Sequence, residues 1–195
     1  YNDWKKKFPE ISEPGTWYDK KMGELIVIYQ QGWGPRKAPS YNEYRFPMLI
    51  PVYSETQNAK LSISGISTSY QSVEVYNVQD AAIATLKEDQ GILVAKRLAG
   101  LASKAVLADQ VRQKNQLLGD LTWIALNVAD RADVRQWSTL PQTIQIIRVP
   151  LLPGKYSFDL EGVSLAGGPT GEGLQKRMVE IKAGQKSFVV WRSLK

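Results

Sequence analysis

The fold is decided by the stretch from Asp130 to Leu160, which reads DRADVRQWSTLPQTIQIIRVPLLPGKYSFDL. Apolar and polar residues alternate in two parts of this stretch, as they do in strands that bury one face. The apolar positions are Ile144, Ile146, Val149 and Leu151 in the first part and Tyr156, Phe158 and Leu160 in the second. A slip of register is needed at Ile147, and Pro153-Gly154 between the parts is a turn signal. We therefore predict a β-hairpin that opens the closing sheet of the chain.

Alternating patterns predict further strands on both sides of this hairpin. The upstream segments are Gly23–Tyr29, Arg45–Val52, Leu61–Ile66 and Gln71–Val78. Prolines 47 and 51 place the second segment at an edge or a bulge, because proline cannot donate a ladder hydrogen bond. The third and fourth segments are expected to pair as an antiparallel hairpin. Downstream, a glycine-rich loop from Gly162 to Gly173 precedes a last hairpin, with strands Arg177–Ile181 and Ser187–Trp191 around the turn Ala183-Gly184-Gln185.

Between the two strand groups the apolar period becomes helical. Asp80 is a candidate N-cap for a short helix from Ala81 to Glu88, which Gly91 would end. A longer helix is predicted from Ile92 to Lys114, with an apolar arc so wide that contact on more than one side is expected. A third helix is predicted over Gln116–Ala129. The polar join Arg112–Asn115 is either a turn between these helices or part of one continuous exposed face, and we favour the turn.

This order of elements predicts an α+β protein, specifically an antiparallel β-sandwich with a helical insertion between two strand groups. We expect about seven or eight strands, of prealbumin-like or Ig-like type. The rhythm of residues 152–158 and 179–190 resembles the prealbumin-like and PEGA-type modules of bacterial surface proteins. The whole chain, 1–195, is predicted as one domain with four parts: an aromatic lead-in 1–22 (Trp4, Phe8, Trp17, Tyr18), strands 23–78, helices 79–129 and strands 130–195.

The composition excludes many kinds of chemistry. The chain has no Cys and no His, which removes thiol nucleophiles, imidazole bases, the usual zinc sites and disulfides. The remaining acids include Glu43, Glu55, Glu74, Asp159 and Glu161, and no spacing forces any two of them together. We therefore expect a protein that is not an enzyme and that needs no cofactor and no metal. A carboxylate-dependent enzyme is the less favoured alternative.

The net charge of +6 favours anionic partners. A nucleic-acid or other polyanion-binding protein is therefore the first alternative, ahead of the carboxylate-dependent enzyme. It is disfavoured because the aromatic residues are not interleaved with Lys and Arg on one sheet face, as a stacking platform requires. The longest apolar candidate for a membrane span, Ile92–Leu107, is broken by Lys96, Arg97 and Lys104, so no span is predicted.

Two segments carry candidate binding residues. In the loop from Gly32 to Pro39, glycines and prolines leave Trp33, Arg36 and Lys37 with few ways to be buried. Farther along, Arg135 and Trp137 combine a guanidinium with an indole, as recognition patches do. A structural role competes at this second segment, because Asp133 can cap a turn, Arg135 can pair with a carboxylate or with the helix C-terminus, and Trp137 can fill a seam between helix and sheet.

Four segments together resemble a bacterial protein family. They are Val27–Lys37, the basic alanine-rich helix Arg97–Lys104, Ala132–Pro141 and Leu152–Gly154. In this order they resemble the C-terminal β domain of outer-membrane lipoproteins that carry tetratricopeptide-like helices first and whose genes neighbour those of peptidoglycan-synthase activator lipoproteins. This chain lacks the lipidated cysteine and the helical repeats, which fits the C-terminal domain alone.

The resemblance implies a place and a context. It implies a periplasmic protein, associated with the outer membrane in its full-length form through an upstream lipid anchor. The expected function is a noncatalytic binding or scaffold module of the cell envelope, linked to cell-wall assembly. The expected partner is an envelope protein or peptidoglycan, and nucleic acid is not expected.

Overall fold

A computed structural model describes residues 19–40, 46–128 and 132–195. The described residues form ten strands and two helices, so the protein is mixed α+β. In chain order these elements are β1 (Gly23–Gln31), β2 (Arg36–Pro39), β3 (Pro47–Ile50), β4 (Thr56–Ile63), β5 (Ser69–Gln71), β6 (Val73–Asn77), α1 (Val78–Lys114), α2 (Gln116–Val128), β7 (Thr143–Leu151), β8 (Gly154–Ser164), β9 (Pro169–Ile181) and β10 (Lys186–Arg192). The aromatic residues of the predicted lead-in, Trp4, Phe8, Trp17 and Tyr18, lie outside the described residues.

The chain divides into two compact units. The β unit comprises Tyr1–Gly32, Ser54–Tyr76 and Thr143–Lys195, and the helical unit comprises Trp33–Tyr53 and Asn77–Gln142. Each unit is therefore built from segments distant in sequence, and the helical unit contains strands β2 and β3 as well as both helices. The prediction that the chain behaves as a single domain stays a prediction.

Two four-stranded sheets form the β unit. The first sheet has the strand order β10-β1-β7-β6, and the second has the order β5-β4-β8-β9. The pairs β1–β7, β4–β5, β4–β8 and β8–β9 are antiparallel. Strand β1 runs parallel to β10, so the expectation of a wholly antiparallel arrangement is wrong at this edge. The reason is that β9 and β10 belong to different sheets, which frees β10 from the antiparallel pairing of a hairpin.

Both sheets contribute side chains to one hydrophobic core. Alternate residues of β1 are fully buried, as predicted from the pattern of Leu25, Val27 and Tyr29. The other core residues are Ala59, Leu61, Ile63, Ile147, Val149, Leu151, Phe158, Leu160, Ile181 and Trp191. The rings of Tyr29 and Trp191 stack across the β1–β10 pair with centroids 4.9 Å apart. Buried aromatic pairs of this kind stabilise a fold beyond the apolar area that they bury.

Two of the predicted hairpins are wrong. Strands β7 and β8 flank the turn signal Pro153-Gly154, but β7 pairs with β1 in the first sheet and β8 with β4 and β9 in the second. Strands β9 and β10 are separated in the same way by the turn at Ala183–Gln185. At both places the chain crosses from one sheet to the other. Alternation of apolar residues identifies a buried face and does not say which strand is the neighbour.

The upstream hairpin is confirmed in part. Strands β4 and β5 are antiparallel, with Lys60 opposite Gln71. The predicted strand Gln71–Val78 is interrupted at Ser72, and β6 beyond it joins the first sheet. The side chain of Ser72 accepts from the backbone N–H of Ala59 at 2.8 Å and donates to Gln145 Oε1 at 2.5 Å, so it bonds to both sheets where the chain changes sheet.

No register slip occurs in β7. Its inward positions are Thr143, Gln145, Ile147, Val149 and Leu151, in strict alternation. The slip was inferred because the first two inward residues are polar while Ile144 and Ile146 face outward. The buried amide of Gln145 donates to the Gln57 carbonyl at 2.8 Å, and Thr143 donates to Gln31 Oε1 at 2.7 Å. Hydrogen bonding offsets the cost of burying these groups.

The glycine-rich segment near the end of the chain is mostly strand. Strand β8 extends to Ser164, and β9 begins at Pro169, so the predicted loop from Gly162 to Gly173 shrinks to a short turn. Gly173 allows close strand approach, because a Cβ there would lie 2.1 Å from the carbonyl oxygen of Leu160. Glycine in this segment therefore serves sheet pairing more than loop flexibility.

The helical unit contains one long helix where two were predicted. Helix α1 runs through Gly91 without interruption and begins one turn earlier than expected. Its N-cap is Asn77, whose side-chain oxygen accepts from the backbone N–H of Asp80 at 2.9 Å, so the prediction of Asp80 as the cap is wrong. A glycine in the interior of a helix reduces helix stability by only about 1 kcal/mol relative to alanine. The helical turns on both sides of Gly91 can compensate for this loss.

A turn at Asn115 separates α1 from α2, as favoured from the sequence. The helices approach closely beyond this turn, because a Cβ on Gly119 would lie 2.5 Å from Cβ of Arg112. The α2 side chains of Leu117, Leu121 and Ile124 are exposed, as are Ile92 and Leu98 of α1. Helix α1 contacts both α2 and β3, in agreement with the contact on more than one side that its wide apolar arc predicts, although Ile92 and Leu98 stay exposed. Neither described helix meets the length and hydropathy of a membrane span.

Candidate functional site

The two predicted binding segments lie side by side in the helical unit. The backbone N–H of Gly34 donates to the carbonyl of Leu140 at 2.8 Å. The backbone N–H of Lys37 donates to the side-chain oxygen of Gln136, and Lys37 Nζ lies 3.5 Å from the carbonyl oxygen of Arg135. We refer to the five predicted residues as the aromatic–basic surface: Trp33, Arg36, Lys37, Arg135 and Trp137.

Local structure explains how the first segment reaches the second. Gly34 fits against the second segment because it lacks a side chain, since a Cβ there would already lie 3.3 Å from Cβ of Leu140. Arg36 and Lys37 do not lie on a loop, as the sequence suggested, because they begin strand β2. They are paired with Ile50 and Leu49 of β3. The β2–β3 ribbon fixes their backbone, which a free loop would leave to vary.

The aromatic–basic surface is accessible to solvent. Trp137 is 73% exposed and Trp33 is 37% exposed, while the Arg135 side chain is 91% exposed. Arg36 is exposed and Lys37 is half-buried. The alternative in which Trp137 fills a seam between helix and sheet is therefore wrong. An indole this exposed is available to bury area against a partner.

A salt bridge orients Arg135. Its backbone N–H, Nε and Nη2 donate to the carboxylate of Asp133 at 3.0–3.1 Å, so the interpretation that Arg135 pairs with a carboxylate is confirmed. The Arg135 side-chain hydrogen bonds hold the pKa of Asp133 well below its usual range, and the same contacts raise the pKa of Arg135. The guanidinium is thus held in a defined direction at the surface, beside Trp137 in sequence.

A cleft of about 500 Å³ in the helical unit shares residues with this region. Its lining residues are Lys37, Phe46, Pro47, Leu86, Asp89, Leu93, Lys96, Arg97, Gly100, Lys104 and Asp133. Lys37 belongs to the aromatic–basic surface, and Asp133 is the partner of Arg135. The guanidinium carbon of Arg97 lies 5.3 Å from the centroid of the Phe46 ring, within cation–π range. The cleft is thus apolar in part and rich in cations.

Sequence reasoning missed the cleft. The signal was present in α1, where Leu86, Leu93, Arg97, Gly100 and Lys104 recur at helical spacing and define one mixed apolar and basic face. The contributions of Phe46 and Pro47 could not be found in this way, because pairing of these distant segments is a property of the tertiary fold.

A second depression, of about 610 Å³, lies in the β unit and collects three carboxylates. Asp159, Glu161 and Glu172 line it, so two of the acids judged to be scattered do lie near each other. Asp159 accepts from the backbone N–H of Lys176 at 2.6 Å, next to a break in the β8–β9 register. Lys176 has a positive φ of 49°, so this bond stabilises a backbone conformation that is unfavourable for a residue with a side chain. Glu43 lies outside the described residues.

Glu172 links three segments of the β unit. It accepts from Thr56 Oγ1 at 2.8 Å, from Ser193 Oγ at 2.5 Å, and from the backbone N–H groups of Leu194 and Lys195 at 3.1 and 3.2 Å. Burial alone would raise the pKa of Glu172, but these hydrogen bonds outweigh burial and lower it. Burial raises the pKa of the neighbouring Tyr29 to about 12. These contacts give Glu172 a structural role in joining β4, β9 and the residues from Ser193 to Lys195.

Among residues 19–40, 46–128 and 132–195, no group of three acidic side chains has the geometry to hold a metal ion. The chain matches no family model, and comparisons with curated proteins and with solved structures find no significant similarity. The candidate site therefore stands on the geometry of this chain.

Proposed function

We propose that this protein is a noncatalytic binding or scaffold module of the bacterial cell envelope and that it contacts its partner through the aromatic–basic surface. The observation that carries the proposal is the convergence of two segments, in which Lys37 and Arg135 lie 98 positions apart in sequence and in contact. The residue types of the two segments favour binding independently of this contact. The partner is an envelope protein or peptidoglycan.

The composition of this surface supports a role in association. Trp and Arg are the residue types that most often dominate the free energy of protein association, and here two of each lie in neighbouring segments. The three cations Arg36, Lys37 and Arg135 also favour an anionic partner. The affinity should then fall as ionic strength rises, because exposed charges are screened over roughly 10 Å at about 0.1 M salt.

We further propose that the β unit is a sandwich of prealbumin-like or Ig-like type. Support comes from the two sheets that bury one shared core and from consecutive strands that cross between sheets. The location in the periplasm, and at the outer membrane in the full-length protein, is supported by the resemblance of four segments to outer-membrane lipoproteins. Enzymatic activity and a required cofactor are not part of the proposal.

The test is capture of envelope components on the immobilised protein. Wild type is compared with Trp33→Ala/Arg36→Ala and with Arg135→Ala/Trp137→Ala, using solubilised envelope extract in one arm and purified peptidoglycan in the other. Leu165→Ala serves as the control, because it removes a 90% exposed apolar side chain from the β unit. We expect both double variants, and not the control, to lose the same partner and the wild-type interaction to weaken with salt. Equal capture by all four proteins would refute the proposal.

A further inference from the structure

We propose that the cleft along α1 binds an extended acidic peptide segment that carries apolar side chains, supplied by the partner protein. This inference rests on the proposed function and specifies the chemistry of the partner. It concerns a region next to the aromatic–basic surface, joined to it through Lys37 and Asp133.

The shape of the cleft favours an extended ligand. Its wall follows one face of α1 from Leu86 to Lys104, which is a distance of about 27 Å at 1.5 Å per residue. A peptide in extended conformation covers this distance with about eight residues. The volume of about 500 Å³ is suited to a few inserted side chains and not to a folded domain. The chain therefore offers a groove for a strand-like segment.

The charge of the cleft favours an acidic segment. Four cations line it, namely Lys37, Lys96, Arg97 and Lys104, against the two acids Asp89 and Asp133. The carboxylate of Asp133 is already bonded to Arg135, which lies outside the lining, so its charge is largely compensated. The described lining thus carries a clear excess of positive charge, to which Asp and Glu side chains of a ligand are complementary.

The apolar part of the lining favours a peptide over a glycan or a nucleic acid. Phe46, Pro47, Leu86 and Leu93 offer surface to aliphatic or aromatic side chains. Nucleic acids and sugars are usually held on open aromatic rings, but Phe46 is the aromatic residue of this lining and Arg97 lies over it. The contact with Phe46 also restricts the Arg97 side chain, which lowers the conformational entropy that it would lose on contact with a ligand.

Two glycines of α1 provide a matched pair of variants. Gly100 lines the cleft and Gly91 does not, yet a Cβ at either position would meet nothing within 4 Å. Gly100→Phe therefore places a bulky side chain at the cleft from a position with room for its Cβ, and Gly91→Phe adds the same side chain elsewhere on the same helix. Helix α1 gains helix propensity in either variant because phenylalanine replaces a glycine, so loss of folding is not expected for either.

The experiment selects phage-displayed random peptides of about ten residues on wild type, with length set by the extended span of the groove. We expect enriched peptides that combine Asp or Glu with apolar residues, and binding at least tenfold weaker to Gly100→Phe than to Gly91→Phe. Enrichment of basic or purely polar peptides, failure to enrich any peptide, or equal binding to both variants would overturn the inference.

The envelope capture experiment separates this inference from the proposed function. If Arg135→Ala/Trp137→Ala loses the partner while Gly100→Phe retains it, the function stands and the cleft is not the peptide site. If Gly100→Phe also loses a protein partner that Gly91→Phe retains, the cleft is supported as part of the same interface.

Discussion

The two units differ in where their apolar residues lie, because every buried hydrophobic residue described except Ala108 belongs to the β unit. The β unit buries Gln31, Thr143 and Gln145 beside its apolar core, and each of these polar side chains has a hydrogen-bonding partner. The helical unit exposes large apolar residues along both helices, of which Leu98 is 62% and Leu117 is 69% exposed. This comparison shows that a segment rich in apolar residues does not necessarily form part of a hydrophobic core. In the β unit sheet pairing determines what is buried, whereas the helices keep apolar side chains at the surface.

The largest expected effect on stability comes from replacing a leucine by alanine, and this change can be compared between the two units. Leu61→Ala removes a fully buried core side chain, and we expect it to reduce the free energy of unfolding by about 3 kcal/mol or more. Leu117→Ala changes an exposed position, where substitutions usually alter stability by no more than about 0.5 kcal/mol. Urea denaturation followed by circular dichroism measures both. Equal destabilisation by the two variants would show that Leu117 is buried in solution and that the contrast between the units is wrong.

Much of the β unit could be predicted from the sequence, because strand alternation reports directly on burial. The inward positions of β1 are confirmed at Leu25, Val27 and Tyr29. The pattern failed in β7, where buried Thr143 and Gln145 are compensated by partners on other strands. It also could not assign strands to sheets, since both sheets face the same core. Hydrogen-bond partners on other strands, and the assignment of strands to sheets, depend on tertiary contacts that a single sequence does not show.

The sequence indicates which residues of the candidate site are suited to binding, but it does not show that the two segments contact each other in the fold. Glycine and proline around Trp33 indicated that its side chain would be exposed, and it is 37% exposed, whereas Lys37 of the same segment is half-buried. The contact between the segments depends on Gly34 fitting against Leu140, a match of shape that composition does not reveal. The cleft was missed for the same reason, because Phe46 reaches it from outside α1.

A smaller effect on stability is expected when alanine replaces a helical glycine. The effect should differ between Gly119, which lies against Arg112, and Gly100, which has no close neighbour. Gly119→Ala places a Cβ against the backbone of Arg112, so the α1–α2 contact must open, at an expected net cost of about 1–2 kcal/mol after the gain in helix propensity. Gly100→Ala meets no neighbour and should stabilise α1 by up to about 1 kcal/mol. Hydrogen exchange of the α2 amides should quicken only in Gly119→Ala. Unchanged exchange would mean that the helices do not pack closely at this glycine.

The smallest effect concerns acid sensitivity, which should differ between the units. Hydrogen bonds give Glu172 a folded-state pKa below its unfolded value, so its contribution to stability is present above the unfolded pKa, near 4.3, and is lost as pH falls through the folded pKa. Glu172→Gln cannot accept all four bonds from Thr56, Ser193 and the backbone. We expect it to cost about 1 kcal/mol at neutral pH, at the low end because solvent reaches the group.

The pH dependence distinguishes the bonds of Glu172 from an unspecific loss of charge. The difference in stability between wild type and Glu172→Gln should shrink as pH is lowered below 4.3, because the wild-type carboxyl then becomes protonated. Asp133→Asn is the matched control in the helical unit, since the pKa of Asp133 is also lowered but its pair with Arg135 is exposed and screened by water and salt. We expect Asp133→Asn to leave the unfolding curve unchanged at every pH. A difference for Glu172→Gln that stays constant with pH would mean that its carboxylate does not hold the Ser193–Lys195 segment through charge-assisted bonds.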